Sequence, residues 1–185
     1  MALVLPAPAD HHAAAAPQRC AAAADCARTA PAICAMRTPD IGRVRAFHGC
    51  HLPVAYGARF FLQFTYAANA HCFFAVDCAG AVVGAVSGRR APSARGPTGH
   101  VLTLAVADGW RGTGLGGDLL RTLEDALATD AYVLSTETTN SRALRFYEKH
   151  GYRPLKVDPG YYRGRGDALV MAKAVDGGRE PPARM

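Results

Sequence analysis

The sequence predicts a single α/β domain in which a mixed β-sheet is flanked by helices on both faces. Apolar runs of strand length alternate with longer segments in which apolar residues recur at helical spacing. Their order along the chain is strands, helix, strand, helix and strands, which is typical of a mixed sheet covered by helices. Half of the 185 residues are apolar, which is enough to bury one sizeable core.

The first part of the domain is predicted to hold three strands and two helices. Asp40 is a candidate N-cap for the first helix, which is interrupted at residues 52–54. Helical spacing gives its inward positions as Ile41, Val44, Arg45 (through its aliphatic stem) and Phe47. The strands are predicted at residues 33–36, 72–76 and 81–87, the hairpin turn at 77–80, and the second helix at 56–66. Residues 89–99 are rich in Pro, Gly, Ser and Arg and are predicted to form a loop.

The second part is predicted to alternate strands with two helices. The strands are predicted at residues 100–106, 131–137, 152–156 and 167–174, and the helices at residues 114–129 and 140–150. The stripe of the first of these helices consists of Leu115, Leu119, Leu123 and Ala126 or Leu127. Asn140 is a candidate N-cap of the second, and Gly151 is its candidate left-handed end.

Residues 1–32 differ in composition from the domain predicted at residues 33–175. They are dominated by Ala, contain four prolines and show no periodic apolar face, so they are predicted to be disordered, as are residues 176–185. Ala richness, scattered Arg and few acidic residues also fit a transit peptide, although Ser richness is lacking. We expect a cytoplasmic protein, with a plastid or a mitochondrion as the alternative. No stretch reaches the roughly 20 apolar residues that span a bilayer, so no membrane span is expected.

Charge and cysteine spacing narrow the classes of ligand. The net charge of +6 suits a polyanionic ligand, but the basic residues form no dense run, so direct nucleic-acid binding is not expected. The six cysteines include no CxxC pair. The segment His48-Gly49-Cys50-His51 comes nearest to a metal site. It is interpreted as a helix end or loop with solvated imidazoles, and no metal is predicted.

A glycine-rich turn between the strand 100–106 and the leucine-striped helix is the clearest candidate site. Its sequence is Arg111-Gly112-Thr113-Gly114-Leu115-Gly116-Gly117. Glycines let the backbone approach a ligand, and the free N–H groups at a helix start favour an anion such as a pyrophosphate. The spacing is not the dinucleotide-binding GxGxxG, and no Walker Gly-Lys-Ser/Thr is present. A tight turn without a ligand is the alternative.

Two motifs in this order resemble the GNAT superfamily of N-acetyltransferases. They are Arg111-x-x-Gly114-x-Gly116 after an apolar strand and Asn140-x-x-Ala143-x-x-Phe146-Tyr147-Glu148-Lys149-x-Gly151-Tyr152. The resemblance implies the GNAT fold and acetyl-CoA as cosubstrate, with its pyrophosphate on the Arg–Gly turn and its pantetheine arm and thiol near the second motif. It also implies that Tyr147 supplies the proton or hydrogen bond that the leaving thiolate needs. The implied cofactor contacts are Leu104, Ala105, Val106, Arg111, Gly112, Thr113, Gly114, Leu115, Gly116, Gly117, Asn140, Ala143 and Tyr147.

Shorter segments resemble protein N-alpha-acetyltransferases of the eukaryotic 50 and 60 types and of bacterial ribosomal proteins. They are Leu52-Pro53-Val54-x-Tyr56, Val83-Gly84-Ala85-Val86 with Arg89, Gly160-Tyr161-Tyr162 and Asp167-Ala168-Leu169-Val170-Met171. This resemblance covers about residues 33–174 and implies that the substrate is a protein N-terminus or peptide. A ribosome or a larger acetyltransferase complex is an expected partner. The implied substrate contacts are Pro53, Tyr56, Arg89, Leu102, Tyr161 and Tyr162.

The chemistry requires a base, because a free α-amine has a pKa near 8 and must lose a proton before it attacks a thioester. His100 is the candidate, and by strand alternation it would share one face with Leu102 and Leu104. By resemblance Ser135 occupies the second catalytic position, where it cannot act as a base by itself. Glu137 would face the same side one step further on. A backbone amide of the His100 strand is the candidate donor to the oxyanion.

Two other functions stay open at this level. An acetyltransferase for a small amine or antibiotic would share the glycine-rich turn but not the Pro-x-x-Tyr and Tyr-Tyr segments. A weakly active, CoA-binding subunit of a larger complex is the other, to which Ser135 gives some weight. For His100 the alternative is a solvated residue at the start of a strand.

Overall fold

The computed structural model describes residues 30–94, 96–162 and 166–175, which form one mixed seven-stranded sheet with four helices. The strands are β1 (Ala32–Ala35), β2 (Ala70–Val76), β3 (Val82–Ala91), β4 (Thr98–Val106), β5 (Ala131–Glu137), β6 (Arg153–Asp158) and β7 (Ala168–Ala174). The helices are α1 (Ile41–His51), α2 (Ala58–Tyr66), α3 (Leu115–Leu127) and α4 (Ser141–Lys149). The order is β1-β2-β3-β4-β5-β7-β6, in which β4 and β5 run parallel and the other neighbours antiparallel. The predicted fold class is confirmed.

The predicted disordered tails fall mostly outside the described residues. Residues 1–29 and 176–185 lie outside them, whereas Ala32, which its composition placed in the first tail, is the first residue of β1. In the part of the chain that the structure describes, no helix is long and apolar enough to cross a membrane.

The sheet separates two hydrophobic cores. One lies under α3 and α4 and the other under α1 and α2. The predicted stripe of α3 is buried, with an exposed fraction of 4% or less for Leu115, Leu119, Leu123 and Leu127. Burial of one such leucine contributes roughly 2 kcal/mol to stability. Aromatic rings dominate the second core, among them Phe47, Phe61 and Phe64.

β4 contains one extra residue, Leu102, relative to β3. Ser87 pairs with Thr103, but the next residue of β3, Gly88, pairs with Val101. Such a bulge reverses the side on which the following residues point. Val101 therefore packs in the core under α3, while Thr103 reaches α1.

The bulge corrects one prediction about the candidate site. His100 and Leu102 face α1 and α2, but Leu104 packs in the core under α3 and α4. The three residues therefore do not share a face. Strict alternation gave the wrong answer because it assumes an unbroken period of two.

β4 and β5 separate before they end. Their pairing stops at Val101 and Leu134, although β4 continues to Val106 and β5 to Glu137. The result is a cleft between two parallel strands at their carboxyl ends. Ligands of α/β sheets commonly bind at such a place.

The elements around α1 differ from the prediction. Asp40 stands at the predicted N-cap position of α1, but its side chain makes no capping hydrogen bond to the helix. Its carboxylate instead accepts from the backbone N–H of Arg37 at 3.0 Å, within the turn that precedes the helix. Arg45 is exposed, and His48 takes an inward position instead. The predicted loop 89–99 is shorter than expected, because β3 continues to Ala91 and β4 begins at Thr98.

Candidate active site

The glycine-rich turn leaves an open surface at the start of α3. Gly112 and Gly114 have φ angles of +81° and +96°, and no neighbouring heavy atom lies within 4 Å of the place where a Cβ would stand. Among the described residues, the amides of Leu115 and Gly116 have no backbone partner. Free N–H groups at a helix start, facing open space, fit an anion of the size of a pyrophosphate.

Arg111 is held at the base of this turn. Its Nε donates to the carbonyl oxygen of Val106 at 3.1 Å, and its Nη1 lies 2.5 Å from Oδ1 of Asp108. The side chain is 42% exposed, so the guanidinium still reaches solvent beside the turn. The hydroxyl of Thr113 donates to the carbonyl of Trp110 at 2.8 Å and fixes the middle of the turn.

The last two glycines of the turn permit close packing of α4 on α3. A Cβ on Gly116 would lie 3.2 Å from the ring of Phe146, and one on Gly117 would lie 2.6 Å from Nε2 of His150. His150 stays in place because its Nδ1 is hydrogen bonded to the carbonyl of Phe146 at 2.7 Å. The sequence marked these glycines as ligand contacts, whereas their shared feature here is contact with α4.

Asn140 caps the start of α4, and Tyr147 lies on the buried side of the same helix. Asn140 is the predicted N-cap, and its side chain accepts from the amide of Ala143 at 3.1 Å. Tyr147 is buried against Phe146 and Tyr152, with ring centroids 5.2 Å and 5.7 Å away. Burial, and secondly the neighbouring Tyr162, raise the pKa of Tyr147, so its hydroxyl keeps its proton at neutral pH.

Three tyrosines from two separate segments lie near one opening on the α1–α2 side. Tyr161 and Tyr162 lie edge to face at 4.9 Å, and the hydroxyl of Tyr162 donates to the carbonyl of Ser135 at 3.4 Å. Burial raises the pKa of Tyr56, and Tyr161 raises it further. Burial also raises the pKa of Tyr162, which Tyr161, Glu137 and Tyr56 raise further through their charged forms. These mutual influences place the tyrosines and the Glu137 carboxylate near one another.

The remaining predicted contacts surround this opening or lie behind it. Pro53 is exposed in the link between α1 and α2, which also carries Tyr56. Leu102 lies on the α1–α2 side. Ala105 is buried under α1 and α2, whereas Val106 packs towards α3.

The candidate proton acceptors lie at different depths of the cleft. His100 is level with Val133, where β4 and β5 are still paired below the cleft, and it lies opposite Arg89 of β3. Burial lowers the pKa of the His100 imidazole, and the Arg89 charge lowers it further. Ser135 and Glu137 follow at alternate positions of β5 and face the same side at the open end.

A buried polar chain beside the opening was missed by sequence reasoning. Nδ1 of His48 lies 2.9 Å from the carbonyl oxygen of Val44, and Nε2 lies 3.0 Å from Oγ1 of Thr103. That hydroxyl lies 2.6 Å from Oγ of Ser87. His48 is 1% exposed, so the prediction of solvated imidazoles is wrong for this residue. Its spacing of four from Val44 was the available signal.

Within the described residues, no group of three or more His, Cys, Asp or Glu side chains could hold a metal ion.

Comparison with known proteins gives a consistent picture. Residues 43–152 match the acetyltransferase (GNAT) family. The chain is 37% identical to an N-acetyltransferase of Methanocaldococcus jannaschii over 115 residues, which are 60% of this chain and 71% of that protein. It is 31% identical to N-alpha-acetyltransferase 20 of Dictyostelium discoideum over 129 residues, which are 68% of this chain and 75% of that protein. The structure of Arabidopsis thaliana Naa50 with the bisubstrate analogue CoA-Ac-MVNAL has a TM-score of 0.70 at 21% identity, over 80% of this chain and 100% of that one.

Proposed function

The chain belongs to the acetyltransferase (GNAT) family, and on that premise we propose that it transfers the acetyl group of acetyl-CoA to the N-terminal α-amine of a protein or peptide. One observation carries the choice of amine, the gathering of Tyr56, Tyr161 and Tyr162 at one opening of the cleft. Rings from two separate segments on either side of an opening suit an extended chain end. The names of the similar N-alpha-acetyltransferase 20 and of the Naa50 complex support the same choice.

The α3 side of the cleft would hold the cosubstrate. Arg111 and the amides of residues 112–116 would bind its pyrophosphate, because they combine positive charge with free donors. The edge of β4 at residues 104–106, which is not paired with β5, would line the pantetheine arm together with the start of α4 at Asn140 and Ala143. Acetyl-CoA supplies the activated acetyl thioester.

The α1–α2 side would hold the substrate. Pro53 and Tyr56 would contact one side of the peptide, and Tyr161 and Tyr162 the other. Leu102 would form part of the floor, which extends past His100 to Arg89. The amine would then enter the cleft where β4 and β5 separate.

Proton transfer would use groups on both sides of the amine. His100 is kept neutral by burial and by Arg89, so it has a free nitrogen that can take the ammonium proton directly or through water. Glu137 is the second candidate acceptor, since its carboxylate lies at the open end. An amide of β4 left free by the strand separation would donate to the oxyanion. Tyr147, which keeps its proton, would donate a hydrogen bond to the thiolate as it leaves.

A peptide acetylation assay tests the choice of amine. Short peptides with free or formylated N-termini, each containing an internal lysine, would be incubated with acetyl-CoA and the products mapped by mass spectrometry. We expect acetylation of free N-termini alone. Turnover only on small amines would contradict the choice of amine, and turnover on no amine would point to a weakly active subunit.

Two substitutions test the base. His100→Ala should lower kcat about 100-fold and leave acetyl-CoA affinity unchanged, because general base catalysis contributes roughly that factor. Glu137→Gln should have a small effect if His100 is the base. The reverse ranking of the two variants would assign the base to Glu137.

Cell context is part of the proposal. We infer a cytoplasmic enzyme that acts alone, on the ribosome or within a larger acetyltransferase complex. Fluorescent fusions with and without residues 1–32 would test the compartment. A plastid or mitochondrial signal from the full chain alone would show that this segment is a transit peptide.

A further inference from the structure

The buried chain of His48, Thr103 and Ser87 has a defined direction. The carbonyl oxygen of Val44 can only accept, so Nδ1 of His48 carries the hydrogen. In the neutral ring Nε2 is then an acceptor, so the hydroxyl of Thr103 donates to it at 3.0 Å. Because this uses the only hydrogen of Thr103, the hydroxyl of Ser87 donates to Oγ1 of Thr103 at 2.6 Å. Each of the three donors, Nδ1 of His48, the hydroxyl of Thr103 and the hydroxyl of Ser87, therefore has one acceptor.

This chain connects two separate parts of the proposed peptide slot. Thr103 is the residue directly after the bulge, so fixing it also fixes the neighbouring Leu102. On its other side, the His48 ring lies edge to face against Tyr56, with centroids 6.4 Å apart. It also packs edge to face against Phe61 at 5.2 Å. One buried side chain thus contacts Tyr56, on one wall of the slot, and Thr103, the neighbour of Leu102 on its floor.

We propose that His48 is a positioning residue for the peptide slot, which sets the spacing between Leu102 and Tyr56 by accepting the hydrogen bond of Thr103. The inference rests on the proposed function, in which these two residues contact the peptide. It adds a residue that touches neither the peptide nor acetyl-CoA.

The bulge gives a physical reason for a polar residue at position 48. Without the extra residue, Thr103 would point into the leucine core under α3, and its hydroxyl would lose both partners. A buried acceptor on α1 therefore favours the bulged pairing over the regular one. An apolar residue at position 48 would fill the space but would not select the pairing, and selection of register is the best-attested use of a buried polar group.

Matched pairs of variants test the hydrogen bond. His48→Gln places an amide oxygen near the position of Nε2, whereas His48→Leu fills the space without an acceptor. Thr103→Ser keeps the hydroxyl, whereas Thr103→Val removes it. We expect His48→Leu and Thr103→Val each to raise the KM for peptide about tenfold, the size of one hydrogen bond, with little change in kcat and in acetyl-CoA affinity. His48→Gln and Thr103→Ser should stay near the wild-type KM, and the two damaging substitutions should not be additive.

A stability control separates positioning from general loosening. Val44→Ala removes a buried side chain from the same helix but leaves the carbonyl that His48 contacts, so it should lower Tm without raising the peptide KM. The inference is overturned if Val44→Ala raises the peptide KM as much as His48→Leu does. It is also overturned if His48→Leu and Thr103→Val, or Thr103→Val alone should His48→Leu fail to fold, leave the peptide KM unchanged.

Failure of the proposed function would look different. Wild-type protein would then bind acetyl-CoA but neither acetylate nor bind any peptide by calorimetry, and the inference would fall with it. If the wild type acetylates peptides and the matched pairs do not differ, only the inference fails.

Discussion

The two faces of the sheet differ in the residue types that form them and in the number of segments that contribute to the site. The α3–α4 face joins a leucine stripe to a glycine-rich turn, and the groups that fit a pyrophosphate lie within one short segment, 111–116. The α1–α2 face joins aromatic rings to a buried polar chain, and its opening is assembled from Tyr56, β4, β5 and the Tyr161-Tyr162 segment. A site formed by one segment can be predicted from the spacing of its residues in the sequence. A site formed by four segments can be recognised only when the fold has brought them together.

This contrast predicts that a substitution on the α3–α4 face changes either acetyl-CoA affinity or stability, according to whether it lies in the glycine-rich turn or in the core. The glycine-rich turn at residues 111–117, called the cradle below, is an open surface that adds little to the core, while the leucine side chains of α3 are buried beneath the sheet-facing side of the helix. On the second face the same residues pack, hydrogen bond and titrate, so their effects should be mixed.

The largest expected effect is on the cradle. Gly114→Trp should lower acetyl-CoA affinity at least about 1000-fold, because the indole would fill the space in front of the free amides, and 1000-fold is about 4 kcal/mol. Calorimetry measures it. Gly80→Trp is a matched control, since Gly80 also has a positive φ, +77°, and no neighbouring atom within 4 Å of a Cβ. Both variants should lose similar stability from backbone strain, and equal acetyl-CoA affinity in the two would refute the cradle.

The next effect is on the core of the same face. Leu123→Ala should lower the free energy of unfolding by about 3 kcal/mol, because Leu123 is fully buried and packs against Gly88 of β3. Urea unfolding measures it. Leu62→Ala on α2 removes a leucine that is 40% exposed and should cost less than about 1 kcal/mol. A large loss of acetyl-CoA affinity in folded Leu123→Ala protein would break the separation between binding and stability.

Much of this contrast could be predicted from sequence. The fold class, the leucine stripe and the Asn140 cap are confirmed because they follow from periodicity and from local capping chemistry. The family is confirmed because its two motifs are each contiguous. Leu104 was assigned to the wrong face because a bulge leaves no mark on alternation. His48 was assigned to solvent because its partner, Thr103, is 55 residues away.

The third prediction compares two charged pairs on one helix, α3. Glu124 is 8% exposed and accepts from the hydroxyl of Tyr152 and from Nζ of Lys173, both at 2.7 Å. Glu124→Gln should cost about 2 kcal/mol of unfolding free energy, because the amide cannot replace a charged acceptor for both donors. Asp118→Asn breaks the exposed pair with Arg121 and should cost less than about 0.5 kcal/mol. Equal losses by urea unfolding would mean that burial does not distinguish the two pairs.

The smallest effect is a pH dependence that belongs to the α1–α2 face. Burial lowers the pKa of His48 and of His100 in the folded protein, so both remain neutral at pH values where the unfolded chain already binds protons. Stability from these groups is therefore complete above the unfolded pKa of about 6.5 and falls as the pH drops from there towards the lower folded pKa. The loss is at most about 1 kcal/mol per pH unit for the fully buried His48, and smaller for His100, which solvent partly screens.

Urea unfolding at several pH values between 5 and 8 tests this pH dependence, with His48→Gln as the comparison. The variant removes one titrating group, so its free energy of unfolding should fall less steeply below pH 6.5 than that of the wild type, and the two curves should run parallel above pH 7.5. If they stay parallel down to pH 5, His48 carries no proton-linked stability, and the mixing of packing with titration on this face would then rest on His100 alone.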